Sequence, residues 1–135
     1  MTEFFLDASY AIALASSKDQ CHIRAVELAE TIRTEKIALV TTRAVMLEIG
    51  NALSKRRLRS AGVILIEALE DDSNVTIIPI NDDLFNRAFR LYKSRQDKDW
   101  GLTDCISFVV MSERGIVSAL TTDNDFRQAG FQVLL

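Results

Sequence analysis

Apolar and polar positions alternate along the chain between short strand-like runs and longer stretches with a helical repeat. Phe4-Phe5-Leu6 is the first short run, closed by Asp7. Residues 8–16 read as a short helix. Residues 20–35 read as a second, with Ala25, Leu28, Ala29 and Ile32 on one face. Ile37-Ala38-Leu39-Val40 is another buried run, ended by Thr41-Thr42. Thr42 is placed to cap a helix to about Leu58, with Val45, Ile49, Ala52 and Leu53 as its stripe. Ser60 is placed to cap a further helix to about Leu69, before the polar loop Asp71-Asp72-Ser73-Asn74. Val75-Thr76-Ile77-Ile78 predicts a third strand, ended by Pro79 or set at a sheet edge. A helix starting at Asn81 or Asp82 carries Leu84, Phe85, Ala88, Leu91 and Tyr92 on its stripe, and Ser94 to Gly101 is loop-like. Residues 102–114 are almost all apolar, which predicts a helix buried on most sides and stopped by Gly115. Ser118-Ala119-Leu120, a short helix and Gln132-Val133-Leu134 complete the pattern.

This alternation predicts an α/β fold: a three-layer α/β/α sandwich around a parallel sheet of four to five strands. The 135 residues are one domain's worth of chain, so residues 1–135 are expected to form a single domain. With 48% hydrophobic residues and no low-complexity run, the sequence is that of a chain with a packed core. No apolar run approaches the ~18 residues of a membrane span, and acids stand near the N-terminus where a secretory signal carries Lys or Arg. Cys21 and Cys105 form no CxxC pair. A reduced, cytoplasmic setting without membrane contact is expected.

The net charge of −3 excludes coating of nucleic acid by bulk charge, but not a nucleic-acid enzyme with clustered basic groups. A single histidine, His22, excludes paired-histidine acid/base chemistry and a three-histidine zinc site within one chain. It is expected on a solvent-exposed helix. Glycine-rich phosphate and dinucleotide loops are missing from the sequence. Asp7-Ala8-Ser9 lacks the second aspartate of an aspartyl-phosphate hydrolase, and the first strand does not end in the acid pair of a receiver domain.

Ligands of an open parallel sheet bind beyond the carboxyl ends of its strands. Asp7 follows the first strand and Asp123 the fourth; Asp104 heads the buried helix, and Glu48 follows the second strand within a few turns. Singly, Asp7 and Asp123 read as helix caps and Asp104 as a dipole-compensating acid. Glu48 lies on the shoulder of an apolar stripe, where a carboxylate needs a partner. Together, such acids repel unless protonated or bridged by a cation. All-oxygen donors favour Mg²⁺ or Mn²⁺ over zinc, and such sites suit phosphoryl chemistry.

Four segments carry a resemblance to a family. They are Phe5-Leu6-Asp7-Ala8-Ser9, Glu48-Ile49-Gly50-Asn51-Ala52-Leu53, Trp100-Gly101-Leu102-Thr103-Asp104-Cys105-Ile106-Ser107-Phe108, and Leu120-Thr121-Thr122-Asp123-Asn124-Asp125-Phe126 with Gly130-Phe131. Over essentially its whole length the chain resembles PIN domains, and among them the VapC-like toxin ribonucleases of toxin–antitoxin pairs. The resemblance implies a metal-dependent endoribonuclease that leaves a 5′-phosphate and a 3′-hydroxyl. It implies that Asp7 and Asp104 bind the metal most directly, that Asp123 helps hold it or a second one, and that Glu48 completes the metal pocket and orients the attacking water. Ser9, Thr103 and Thr121 are then candidates to hydrogen-bond these carboxylates or phosphate, and Arg43 is a further phosphate candidate. Asp99 matches an acid sometimes found upstream of the third segment. Gly101 stands where a Ser is common. The resemblance also implies a homodimer and a partner antitoxin. A housekeeping RNA-processing nuclease and a non-catalytic RNA- or protein-binding module are the alternatives.

Two basic groups are candidates to guide RNA: Lys55-Arg56-Arg57-Leu58-Arg59, and Arg87, Arg90, Lys93 and Arg95. Contact with an acidic antitoxin segment, or plain solvation, are the other readings. Cys105 is expected in the core, and Trp100 either stacks on a base or serves as a packing lid.

Overall fold

The computed structural model describes residues 2–135. Its elements run β1 (Glu3–Leu6), α1 (Ala8–Ala15), α2 (His22–Thr34), β2 (Ala38–Thr42), α3 (Arg43–Ala52) and α4 (Arg59–Asp71) in the first half. The second half holds β3 (Val75–Ile78), α5 (Asp82–Ser94), α6 (Leu102–Arg114), β4 (Ser118–Leu120), α7 (Asn124–Gln128) and β5 (Gln132–Val133). Five parallel strands form one sheet in the order β3-β2-β1-β4-β5. Parallel neighbours need crossovers, and right-handed crossovers place α1 to α4 on one face and α5 to α7 on the other. The packing agrees: α1 lies against α2 and α3, and α3 against α4, while α6 lies against α5 and α7. The expected three layers are present.

Strand order also locates the cleft. The chain builds outward from β1 through β2 to β3, then crosses back to lay β4 on the other side of β1. The connections leaving β1 and β4 therefore depart to opposite faces, and a crevice opens between the carboxyl ends of these two strands. Asp7 and Thr121 are the residues immediately beyond those ends.

The core includes Phe5, Leu6, Val40, Val45, Ile49, Met111, Leu120 and Phe126, all fully buried. Helix α6 sits between the sheet and α5 and buries Cys105, Ile106, Ser107, Phe108, Val110 and Met111, which explains its nearly unbroken apolar sequence. Phe108 meets Trp100 and Phe126 edge-on, each at 5.0 Å between centroids, and Phe131 at 5.7 Å. This aromatic knot joins α6 to α7 and to the loop ahead of α6. Gly115 ends α6 in the left-handed region at φ 71°. Pro79 follows β3, an edge strand, where its missing N–H breaks no ladder.

Three expectations need correction. Helix α3 stops at Ala52 instead of continuing to Leu58. The chain turns there, and Arg59 donates from Nε and Nη2 to the Ser54 carbonyl at 3.2 and 2.6 Å. Gly62 then fits against Leu53; a Cβ there would lie 3.1 Å from the Leu53 Cβ. Secondly, α4 starts at Arg59, and Ser60 does not cap it. Thirdly, His22 does not stand free in solvent. It opens α2 half-buried, with Nδ1 2.8 Å from the Ala13 carbonyl, and ties α2 to the end of α1.

The aromatic knot holds together the two segments that carry Asp104 and Asp123. Phe108→Ala is expected to cost about 3–5 kcal/mol in equilibrium denaturation. A loss below about 1 kcal/mol would show that the knot is not a structural pin.

Candidate active site

Each acid reaches the crevice from a different element. Asp7 ends β1 and is buried, with 7% of its surface exposed. By position it is the N-cap of α1, yet its side chain makes no capping hydrogen bond. The Thr121 hydroxyl instead donates to Asp7 Oδ2 at 2.7 Å. The same Thr121 oxygen accepts the Asp123 N–H at 3.0 Å and lies 3.3 Å from Ser9 Oγ. Ser9 Oγ in turn accepts the Thr122 N–H at 3.1 Å. Two strand ends are thus laced by short hydroxyl side chains, and the lacing fixes where the Asp7 carboxylate points.

Asp123 caps α7, accepting the Asp125 N–H at 2.8 Å. Asp104, in the first turn of α6, accepts the Gly101 N–H at 3.3 Å. The cap anticipated at Asp123 and the first-turn place anticipated for Asp104 are therefore real, while the cap anticipated at Asp7 is not made, and all three acids keep oxygen atoms free. Asp104, Asp123 and Asp125 each present an oxygen within 4.8 Å of the other two. Asp125 is a member that the sequence reading passed over. Its place two residues beyond Asp123, at the same strand end, was the available signal; an acid in a first helical turn has a plainer explanation in the helix dipole.

Glu48 approaches from α3, on the opposite face of the sheet. Burial pushes it up to about 7, and the charges of Asp7, Asp104 and Asp123 add to that rise. Burial likewise takes Asp104 up to about 7, helped by Asp123, Asp7 and Asp125 against the Gly101 hydrogen bond. Asp7 is raised chiefly by burial, with the Thr121 and Ala8 hydrogen bonds opposing and Asp123 adding. Asp125 is raised by partial burial and by the charges of Asp123 and Asp99. The four acids expected at this edge therefore share one field, and Asp125 shares it with them.

The remaining candidates divide. Ser9 and Thr121 belong to the lacing. Thr103 lies in the first turn of α6, and its carbonyl accepts from Ser107 Oγ at 3.2 Å; among the described residues its hydroxyl has no hydrogen bond to an acid. Arg43 is drawn away, its Nη1 2.7 Å from Glu70 Oε2 on α4. Asp99 is exposed at the rim beside Asp125. Trp100 is a packing residue: it is buried, donates to Gln128 Oε1 at 3.2 Å and carries the Arg95 guanidinium over its ring at 5.0 Å.

The donor set tests whether a cation fits. The converging atoms are carboxylate oxygens. The nearby sulfur, Cys105, is buried and pushed up to about 11, so its thiol stays protonated. His22 is committed to Ala13. Soft-metal chemistry is thus disfavoured, while a hard divalent cation would relieve the mutual repulsion.

A family model described as the PIN domain matches residues 4–132. The chain belongs to the PIN domain family. The 23S rRNA-specific endonuclease VapC20 of Mycobacterium tuberculosis is 27% identical over 127 residues, which are 94% of each protein. The crystal structure of that protein, described as a Sarcin-Ricin loop cleaving toxin, superposes with a TM-score of 0.82 at 26% identity over 95% of both chains. VapBC2 from Rickettsia felis, crystallised with a promoter DNA fragment, gives a TM-score of 0.71 at 10% identity, covering 98% of this chain and 97% of that one. FitAcB from Neisseria gonorrhoeae gives 0.67 at 16% identity over 98% and 96%. At those two identities the likeness concerns the PIN fold itself.

The raised carboxyls make a stability prediction. Carboxyls of the unfolded chain titrate near 4, whereas Glu48 and Asp104 in the folded chain titrate at about 7. Between these values the folded state holds the extra protons, so stability falls as pH rises from about 4 through about 7. Thermal melts in EDTA are expected to give a lower Tm at pH 8 than at pH 5.5. Divalent cation should raise Tm most at pH 8, and Asp104→Asn should shrink both effects. A cation-insensitive Tm that does not fall with pH contradicts the arrangement.

Proposed function

We propose that this PIN domain, spanning residues 1–135, is an endoribonuclease that hydrolyses RNA phosphodiester bonds with Mg²⁺ or Mn²⁺, and that it is the toxin of a toxin–antitoxin pair. The observation that carries the reading is the convergence of Asp7, Glu48, Asp104 and Asp123 from two strand ends and two opposite helical layers. The full-length similarity to an rRNA endonuclease supports RNA as the substrate class. Similarity to VapC20, and the shared fold of VapBC2 and FitAcB, support an antitoxin partner; a homodimer and a cytoplasmic location complete the reading.

In this reading Asp7, Asp104 and Asp123 hold the cation, and Asp125 joins them. A bound divalent ion supplies an acidified water and offsets charge on the phosphate oxygens. The chain's own residues supply position. Thr121 holds Asp7 by its hydroxyl, and the Gly101 N–H holds one oxygen of Asp104, leaving the other free. Glu48 reaches the crevice from α3 and is the acid placed to accept a proton from the attacking water at its carboxylate, ionised once a cation offsets the charges of Asp7, Asp104 and Asp123. No histidine is needed for that transfer.

Purified protein is expected to cut single-stranded RNA with Mn²⁺ and to stop in EDTA. Asp7→Asn and Asp104→Asn are each expected to lower cleavage by about 100-fold or more while keeping the parental circular dichroism spectrum. Parental rates in both variants would remove the acids from the chemistry. Growth arrest on expression, relieved by co-expressing the antitoxin, separates a toxin from a housekeeping nuclease.

A further inference from the structure

A crevice full of carboxylates repels RNA, so the strand needs cations beside it to settle. The two basic groups of the sequence behave differently in the fold. Lys55, Arg56 and Arg57 stand exposed in the α3–α4 turn. In the other group, Arg87 is held by Asp83 and Glu113, each at 3.0 Å. Arg95 is clasped by Asp97 through two hydrogen bonds and lies over Trp100. Arg87 and Arg95 are thus already partnered, while Arg90 stands exposed on α5.

Between the end of α5 and the 95–100 loop runs a cleft of about 460 Å³, lined by Tyr92, Lys93, Arg95, Gln96 and Lys98. Its wall continues through Asp99 and Cys105. Cys105 follows Asp104 in the chain, and Asp99 is near enough to Asp125 to raise it. The cleft therefore abuts the acidic crevice. Among the described residues Lys93 has no carboxylate partner; its ammonium lies 5.1 Å above the Phe89 ring. Lys98 has only Asp97, at 4.0 Å, the outer limit of an ion pair. Tyr92 presents an exposed ring at the same place, 6.3 Å from Phe89. Two available ammonium groups and one open aromatic face are what a single strand uses: cations for phosphates and a ring for a base.

We infer that this cleft binds the single-stranded RNA segment flanking the cleaved bond, with Lys93 and Lys98 taking backbone phosphates and Tyr92 stacking on a base. The inference rests on the endonuclease reading above and adds to it residues outside the acid set. It adds Lys98, which lies outside both basic groups of the sequence, to the candidate contacts.

The test uses a short fluorescent RNA with Mn²⁺. Cleavage is measured in the parental background, and anisotropy in the Asp7→Asn background. Lys93→Ala and Lys98→Ala are each expected to lower the slope of log Kd against log salt by about 0.7 and to raise KM, with kcat at saturation within about twofold of parental. Tyr92→Ala is expected to weaken binding about 5- to 100-fold, and Tyr92→Phe to restore it. Parental KM, affinity and salt slope in all three alanine variants overturn the subsite while leaving the endonuclease reading in place. Variants that split a dimer in sedimentation at unchanged RNA affinity assign the cleft to contact between copies, and also overturn it. A parental protein that neither cuts nor binds RNA overturns the endonuclease reading, and the subsite with it.

Discussion

The site depends on like charges being held together against their repulsion. Folding brings five carboxylates to one edge of the sheet, and a free chain would keep them apart. Packing elsewhere supplies the force: the Phe108 knot fixes α6 to α7, and the β1–β4 pairing fixes Asp7 beside the Asp123 segment. Burial first, and this repulsion after it, pushes Glu48 and Asp104 up to about 7, and a bound cation would relieve the repulsive part. Stability and cation affinity are therefore opposed by design of the same residues. This is the usual cost of a preorganised site, where local strain is borne by the surrounding core.

Topology decides which acids meet. Because β1 and β4 are neighbours whose connections leave to opposite faces, α3 and α6 overhang the crevice from either side. Glu48 and Asp104 are far apart in sequence and in layer, yet the Asp104 charge helps raise Glu48. Thr121 has a central place in this geometry. Its single hydroxyl proton goes to Asp7, and its oxygen receives the Asp123 N–H, so one small side chain sets two acids. A residue of this kind touches no reacting atom in the proposed chemistry, but it positions those that do.

Much of this was legible in the residues. The strand and helix order followed from period and from stop signals such as Gly115 and Pro79, because those signals act locally. The four principal acids were visible as residues just past strand ends (Asp7, Asp123), on an apolar shoulder (Glu48) or at the head of a buried helix (Asp104). What escaped was set by tertiary context. The end of α3 depended on a fold-back in which Gly62 meets Leu53, nine residues away. Arg43 was drawn to Glu70 on another helix, and His22 to a carbonyl of the preceding one. Asp125 looked like a helix-dipole acid because it is one; that it also faces Asp104 could be known only once α6 and α7 were packed.

The central claim is that these carboxylates form one cation site. Anomalous diffraction from crystals soaked in Mn²⁺ tests it most directly. The account predicts a peak in the crevice within coordination distance of oxygens from Asp7, Asp104 and Asp123. An ordered crevice with no peak there at saturating Mn²⁺, or with manganese bound only elsewhere on the molecule, would contradict it.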